Sequence, residues 1–138
     1  MNRATEDQPV ALARQSFTAR HLQRLRQLVG WAARRVGLDP ARGDDLALAV
    51  TEAATNVIKH GGGTGQLELI QDDERALIAR ITDHGPGMPA DPPTDLPPPE
   101  QSDGRGWYLI KHSCDRVDYH TGPNGTTVHL EMAIGRRG

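Results

Sequence analysis

The sequence lacks the features that stabilise small secreted proteins or anchor a chain in a membrane. It has one cysteine, Cys114, which excludes an internal disulfide and is compatible with a reducing cytoplasm. No stretch approaches the roughly 18 consecutive apolar residues that a membrane-spanning helix needs. The first residues, 1–3, lead into acidic residues rather than into the apolar core of a signal peptide. We therefore expect a cytoplasmic protein without a membrane partner.

Neither sign of charge is in large excess. The chain has 16 Lys and Arg against 18 Asp and Glu, which gives a formal net charge of −2. This balance provides no electrostatic argument for a nucleic-acid partner. With 138 residues, 36% hydrophobic and 25% charged, the sequence is typical of one globular domain with a single core.

Apolar periodicity predicts the order β-α-α-β-β-lid-α-β-β. The first helix covers about 19–36 and ends at Gly37, and the second begins at Pro40 with Asp39 as its cap. Pro86–Ser102 holds seven of the ten prolines, which is typical of a functional loop such as a lid. The order favours an α/β two-layer sandwich, with a mixed, largely antiparallel sheet and helices on one face. The remaining predicted elements are an edge strand Val10–Phe17, the second helix Pro40–His60, strands Gln66–Gln71 and Ala76–Thr82, a helix Gly104–Ser113, and strands Arg116–His120 and Thr126–Met132.

The second helix carries a polar stripe. Glu52, Asn56 and His60 are four residues apart, so they lie along one side of the helix. Carboxylate and amide oxygens suit Mg²⁺, which needs only one or two protein ligands when phosphates supply others. A carboxylate at this place could also act as a general base. The alternative is an ordinary solvated helix face.

Two glycine-containing turns follow at places where a flat, charged ligand could bind. Asp83, at a strand end before Gly85 and Gly87, could accept a hydrogen bond from an exocyclic amine. Gly104-Arg105-Gly106 opens a helix, where free amides and an arginine favour phosphate. Each has a plain alternative, an Asp-Gly turn in one case and a loop-to-helix junction in the other. The turn at 124–127 is typical of a hairpin, and could also bring a threonine hydroxyl under a base.

In this order the motifs resemble the signature boxes of the GHKL ATPase superfamily, which includes DNA gyrase, MutL, histidine kinases and bacterial anti-sigma-factor serine kinases. The segments T-E-A-A-T-N-x-x-K-H and G-x-G-x-x-L-I-K-H-x-x-D-x-V are most similar to the last group. The resemblance covers about residues 8–134. It implies one ATP-binding kinase domain at 8–134 with a lid at about 86–105, between tails at 1–7 and 135–138.

The resemblance implies ATP and Mg²⁺ as cofactors and assigns roles to single residues. Glu52 would be the catalytic base, and Asn56 would coordinate the magnesium. Asp83 would bind the adenine amine, and Thr127 would support the adenine through its hydroxyl. Further nucleotide-binding candidates by the same resemblance are Lys59, His60, Gly85, Gly87, Met88, Gly104, Arg105 and Gly106.

The implied function is that of a protein-serine kinase and anti-sigma regulatory factor that acts by partner switching. Its partners would be a sigma factor or another transcription regulator, and an antagonist protein that it phosphorylates on serine. Trp107, where the family usually has leucine, and the proline-rich lid leave a catalytically silent, ATP-gated binding module as the alternative. A detached histidine-kinase domain is disfavoured, because His21 is followed by Leu22 and not by an acidic residue. Trp31 is interpreted as a core residue, with the face of a homodimer as the alternative.

Overall fold

The computed structural model describes residues 9–85 and 105–134, and in these ranges the predicted order of elements is confirmed. The lid proposed at 86–105 lies almost entirely outside the described residues, and the domain limits 8–134 stay a prediction. The strands are β1 (Val10–Phe17), β2 (Gly65–Asp72), β3 (Ala76–Asp83), β4 (Arg116–Gly122) and β5 (Gly125–Ala133). The helices are α1 (Leu22–Val36), which follows a 3₁₀ turn at Ala19–His21, α2 (Pro40–His60) and α3 (Arg105–Ser113).

Helices α1 and α2 begin and end where the sequence predicts. Gly37 adopts φ 81°, and its N–H donates to the carbonyls of Ala33 and Arg34 and so ends α1. Pro40 starts α2, where its missing N–H costs no helical hydrogen bond. Asp39 occupies the N-cap position, but its side chain makes no capping hydrogen bond. The predicted cap is wrong in that detail.

The sheet has the strand order β1-β2-β3-β5-β4, and every pairing is antiparallel. The expectation of an α/β two-layer sandwich with a largely antiparallel sheet is therefore confirmed, and no parallel pair occurs among the described strands. The β2–β3 and β4–β5 pairs are hairpins, and β5 lies between β3 and β4. In chain order α3 leads into β4, which forms the edge of the sheet. The chain then returns as β5 between β4 and β3, so β5 pairs with both neighbours in the antiparallel sense.

The core lies between the helices and one face of the sheet. Alternate residues of the central strands are buried there, among them Leu77, Ile81 and Leu130, while the neighbours Arg80 and His129 lie on the open face. The helices contribute Leu25, Val29, Leu46 and Val50 to the same cluster. This alternation places the end of each strand at a defined position relative to α2 and α3.

Trp31 does not belong to this core. Its side chain is 40% exposed on α1, with the guanidinium carbon of Arg35 5.6 Å from the ring centroid. The interpretation of Trp31 as a core residue is therefore wrong. None of the described helices has the length and apolar character to span a membrane.

Candidate nucleotide site

Helix α2 carries the predicted polar stripe along one side. Glu52 and Asn56 are partly buried, whereas Lys59 and His60 are exposed in the last turn. The amide Nδ2 of Asn56 is buried and has no hydrogen-bond partner among the described residues. A buried polar atom without a partner is unfavourable, so this amide is placed to bind a group outside the described residues.

The start of α3 packs against this stripe. A Cβ atom added to Gly106 would lie 3.0 Å from Glu52 Oε1 and 3.8 Å from Asn56 Oδ1. The first turn of α3, whose amides have no partner within the helix, therefore lies beside the carboxylate and amide oxygens of α2. The structure thus brings Glu52, Asn56 and Gly106 together, as the sequence predicts.

Asp83, at the end of β3, is a carboxylate with one oxygen fixed and one left open. It is 2% exposed, and its Oδ1 accepts hydrogen bonds from the N–H groups of Gly85 at 2.9 Å and Thr126 at 3.3 Å. Its Oδ2 is buried without a partner among the described residues. An oriented carboxylate with a free oxygen suits a ligand that donates a hydrogen bond, such as an exocyclic amine.

Backbone packs closely around this carboxylate. A Cβ at Gly61 would lie 2.5 Å from Asp83 Oδ2, and a Cβ at Gly85 would lie 2.4 Å from the carbonyl carbon of Gly61. The last turn of α2 and the turn after β3 are therefore in contact through glycines. Sequence reasoning gave Gly61 no role beyond ending the helix, and its place directly after the polar stripe is the signal that could have found it.

The two threonines of the last hairpin lie on opposite faces of the sheet. Thr126 pairs with Asp83, is 3% exposed and faces the helices together with it, while Thr127 pairs with Thr82 on the open face. The structure thus does not bring Thr127 to Asp83, and Thr126 is the threonine that contacts the carboxylate. The period of two along a strand explains the difference, because a shift of one residue reverses the face.

Trp107 packs into the core at the start of α3. It is 6% exposed, and its ring meets that of Tyr119 edge to face, with centroids 5.0 Å apart and planes at 89°. This geometry is favourable for an aromatic pair. The tryptophan at this position therefore anchors α3 to β4.

Four further predicted site residues belong to the segment that leads into α3 or to the turn after β3. Arg105 is the first residue of α3, and Gly87, Met88 and Gly104 lie outside the described residues. Within ranges 9–85 and 105–134, no group of three or more His, Cys, Asp or Glu side chains forms a metal site of its own.

The family model for the histidine kinase-like ATPase domain matches residues 16–132, which is most of the chain and includes the stripe, Asp83 and the last hairpin. The chain belongs to the histidine kinase-like ATPase family. No curated protein sequence matches it.

Solved structures with the same fold agree with this family. The RsbU and RsbW domains of Rv1364c from Mycobacterium tuberculosis match with a TM-score of 0.66 and 15% identity, over 92% of this chain and 34% of that one. The mycobacterial sensor histidine kinase MprB matches with 0.53 and 20%, over 92% and 97%. The blue-light activated histidine kinase EL346 of Erythrobacter litoralis matches with 0.54 and 18%, over 83% and 60%. The chain thus spans about a third of the length of the first structure.

Membership of this ATPase family implies ATP binding, and the side chains of this chain fit such a ligand. Asp83 offers a free acceptor for the adenine amine, and Asn56 and Glu52 offer oxygens beside the start of α3. Asn56 and Glu52 lie on α2, and Asp83 is in contact with Gly61 at the end of that helix. Asn56 Nδ2 and Asp83 Oδ2 are thus two buried polar atoms that have no partner among the described residues.

Proposed function

We propose that the chain is an ATP-dependent protein-serine kinase and anti-sigma-type regulator. It would act by partner switching: it would bind a sigma factor or another transcription regulator, and it would phosphorylate a serine of an antagonist protein. The observation that carries the proposal is the meeting of Glu52, Asn56 and the start of α3, in a chain whose fold resembles that of the RsbU and RsbW domains of Rv1364c.

In this proposal each residue has one task. Asp83 holds the adenine end of the nucleotide through its free oxygen, and Asn56 places an amide oxygen for Mg²⁺. The magnesium and the amides at the start of α3 would stabilise charge on the phosphates. Glu52 would accept the proton of the attacking serine hydroxyl, so that the carboxylate acts as a general base.

The test is transfer of label from γ-labelled ATP to candidate antagonist proteins. We expect wild type to label one of them on serine and Glu52→Ala to bind ATP with little change while losing transfer. Glu74→Ala, which removes an exposed carboxylate from the β2–β3 turn, is the control and should transfer label normally. Unchanged transfer by Glu52→Ala would contradict the role of general base.

The second candidate is an ATP-gated binding module without catalysis. The observation that favours it is Trp107, which is buried against Tyr119 and fixes the start of α3 on the sheet. In that case ATP would change the partner affinity of the chain, and no protein would be labelled. Regulator binding that depends on ATP, without any label transfer, would decide for this module.

A histidine-kinase role for His21 has less support. The Nδ1 atom of His21 accepts a hydrogen bond from the backbone N–H of Thr18 at 3.0 Å, just before α1. This ring therefore stabilises the turn that leads into the helix. Acid-labile phosphorylation of the pure protein would contradict this interpretation and revive the histidine-kinase hypothesis.

A further inference from the structure

Helix α1 carries a basic face on its exposed side. The segment 18–38 contains five arginines and one histidine but no Asp or Glu. Arg24, Arg34 and Arg35 lie within about 60° of Trp31 around the helix axis, and all four side chains are exposed. We call these four residues the basic face of α1. None of its arginines forms an ion pair with another residue of ranges 9–85 and 105–134.

The stability of α1 does not explain all of these charges. Because of its dipole, a helix favours acidic side chains in its first turn and basic ones in its last turn. Arg34 and Arg35 follow this rule, but Arg24 lies in the first turn, which has no acidic residue. The charge of Arg24 opposes the dipole, so helix stability gives no reason for it.

The guanidinium groups of Arg34 and Arg35 rest on the surface of the helix. The guanidinium carbon of Arg35 lies 5.6 Å from the ring centroid of Trp31, and a Cβ added to Gly30 would lie 3.4 Å from Arg34 Nη1. Side chains that already rest on the helix lose less conformational entropy when a partner binds. Arginine and tryptophan are also the residue types that contribute most to binding energy at protein interfaces.

The charge of the whole chain favours a partner with a local acidic surface. Without the five arginines of 18–38, the 16 Lys and Arg fall to 11 against 18 Asp and Glu, a net charge of −7. A nucleic-acid duplex contacts a wide surface and would also meet these carboxylates. A membrane is disfavoured because the apolar side of α1, with Leu25, Val29 and Ala32, is already buried in the core.

The length of the basic face matches a helix of a partner protein. From Arg24 to Arg35 the face extends about 16 Å, which is about three helical turns. A partner helix with carboxylates three and four residues apart presents them along one side over the same distance. A second copy of the chain fits less well, because a symmetric contact through this face would place arginines against arginines.

We propose that the basic face of α1 is a docking site for an acidic helix of a partner protein. Trp31 would form its apolar centre, and Arg24, Arg34 and Arg35 would pair with carboxylates of the partner. The inference goes beyond the proposed function and depends neither on nucleotide binding nor on phosphoryl transfer.

The test uses a labelled synthetic peptide, a helix with Glu along one side and a leucine at the centre of that side. A version with Gln in place of every Glu is its control, and fluorescence anisotropy with the full chain gives each Kd. We expect wild type to bind the Glu peptide and not the Gln peptide, with a Kd that rises with salt. Arg24→Glu and Arg35→Glu should each raise the Kd about tenfold, because attraction becomes repulsion. Trp31→Ala should raise it about fivefold.

Arg26→Glu is the matched control variant. Arg26 is exposed on the same helix but lies about 140° from Trp31, so the same change of charge should leave the Kd near the wild-type value. The double variant Arg24→Glu/Arg35→Glu should bind a peptide with Lys in place of Glu. Circular dichroism checks that each variant is folded.

Four results would overturn the inference. Wild type could bind neither peptide, or it could bind the Gln peptide as well as the Glu peptide. Arg26→Glu could weaken binding as much as Arg35→Glu, which indicates an effect of net charge alone. Phosphatidylserine vesicles or duplex DNA could bind more tightly than the Glu peptide through Arg35. Sedimentation could show a dimer that Arg35→Glu dissociates, and the occupant would then be a second copy.

Discussion

Gly125 makes the close approach of backbone to Asp83 possible. It has φ 137°, and a Cβ added there would lie 2.0 Å from the carbonyl oxygen of Asp83. No L side chain fits this position without moving β3 away from the start of β5. The hydrogen bond from Thr126 N–H to the Asp83 carboxylate therefore depends on a glycine that the sequence shows only as part of a hairpin turn.

Gly125→Ala should destabilise the fold and displace Asp83. The strained backbone alone costs about 1–3 kcal/mol, and the contact with the Asp83 carbonyl adds to it. Gly122→Ala, in the same hairpin, is the control, because nothing lies within 4 Å of its added Cβ and its φ is not in the left-handed region. Urea unfolding followed by circular dichroism measures both variants. Equal stability of the two would contradict the close packing.

Asp83→Asn should abolish stabilisation by Mg-ATP. A ligand that binds only the folded state at about 100 times its Kd adds about 2.7 kcal/mol to the free energy of unfolding. Asparagine can keep its oxygen on the two backbone N–H groups, but it then directs an amide N–H₂ at the adenine amine. The thermal shift of each variant is compared with its own ligand-free melting temperature.

Asp118→Asn serves as the control for that substitution, since Asp118 lies on β4 and pairs with Arg116 at 3.3 Å. It should shift like wild type. A full shift in Asp83→Asn would contradict the assignment of the base pocket, and a wild type that does not shift would contradict ATP binding as such.

Helix α3 is anchored to the core through Trp107 at its start and through Ile110. Trp107 is buried against Tyr119, and Ile110 is fully buried one turn later. Since α3 is only nine residues long, its stability must come from these contacts rather than from helix propensity. The same contacts keep Gly106 against Glu52.

Trp107→Ala should therefore cost much more stability than Trp31→Ala. Removing a buried tryptophan costs about 3–5 kcal/mol, whereas most changes at exposed positions stay within about 0.5 kcal/mol. Trp31 is the matched control, because it is 40% exposed on α1. Circular dichroism in urea avoids the loss of tryptophan fluorescence. Equal losses would show that α3 does not depend on this anchor.

At the scale of the whole molecule, Arg42 and Asp115 tie three distant parts together. Arg42, near the start of α2, forms an ion pair with Asp115, just after α3, and donates to the carbonyl of Ala133 at the end of β5 at 3.2 Å. Asp115 also accepts a hydrogen bond from the N–H of Ala133 at 2.7 Å. This cluster joins the end of the sheet to both helices that border the candidate site.

The cluster predicts a pH dependence of stability. The hydrogen bonds from Arg42 lower the pKa of Asp115 below its ordinary value of 3.8, although burial acts in the opposite direction. Because the folded pKa is below the unfolded one, this carboxylate stabilises the fold above pH 3.8, and the contribution is lost as pH falls through the folded value. Both side chains are more than a third exposed, so solvent screens the pair and the contribution is at most about 1 kcal/mol.

Asp115→Asn tests this expectation. The free energy of unfolding of wild type should exceed that of the variant at about pH 6, and the difference should shrink below the unfolded pKa. Asp118→Asn removes the same charge from an ion pair within one strand and should show a smaller difference. A difference for Asp115→Asn that does not depend on pH would contradict the role of its charge.

The sequence by itself determined the order of the elements, because apolar periodicity and glycine or proline at the ends are local properties. It also determined the helical stripe of Glu52 and Asn56, since a spacing of four residues places side chains on one side of any α-helix. The family resemblance, carried by the same local motifs, is confirmed by the family model.

The tertiary structure decided what depends on contacts between distant segments. It placed Thr126 rather than Thr127 beside Asp83, because strand pairing fixes the register and the register fixes the face. It left Trp31 exposed and buried Trp107, although both are tryptophans on amphipathic helices. It also brought Gly61 and Gly125 to Asp83, which no local pattern predicts, because these backbone segments come close only when the sheet and α2 pack together.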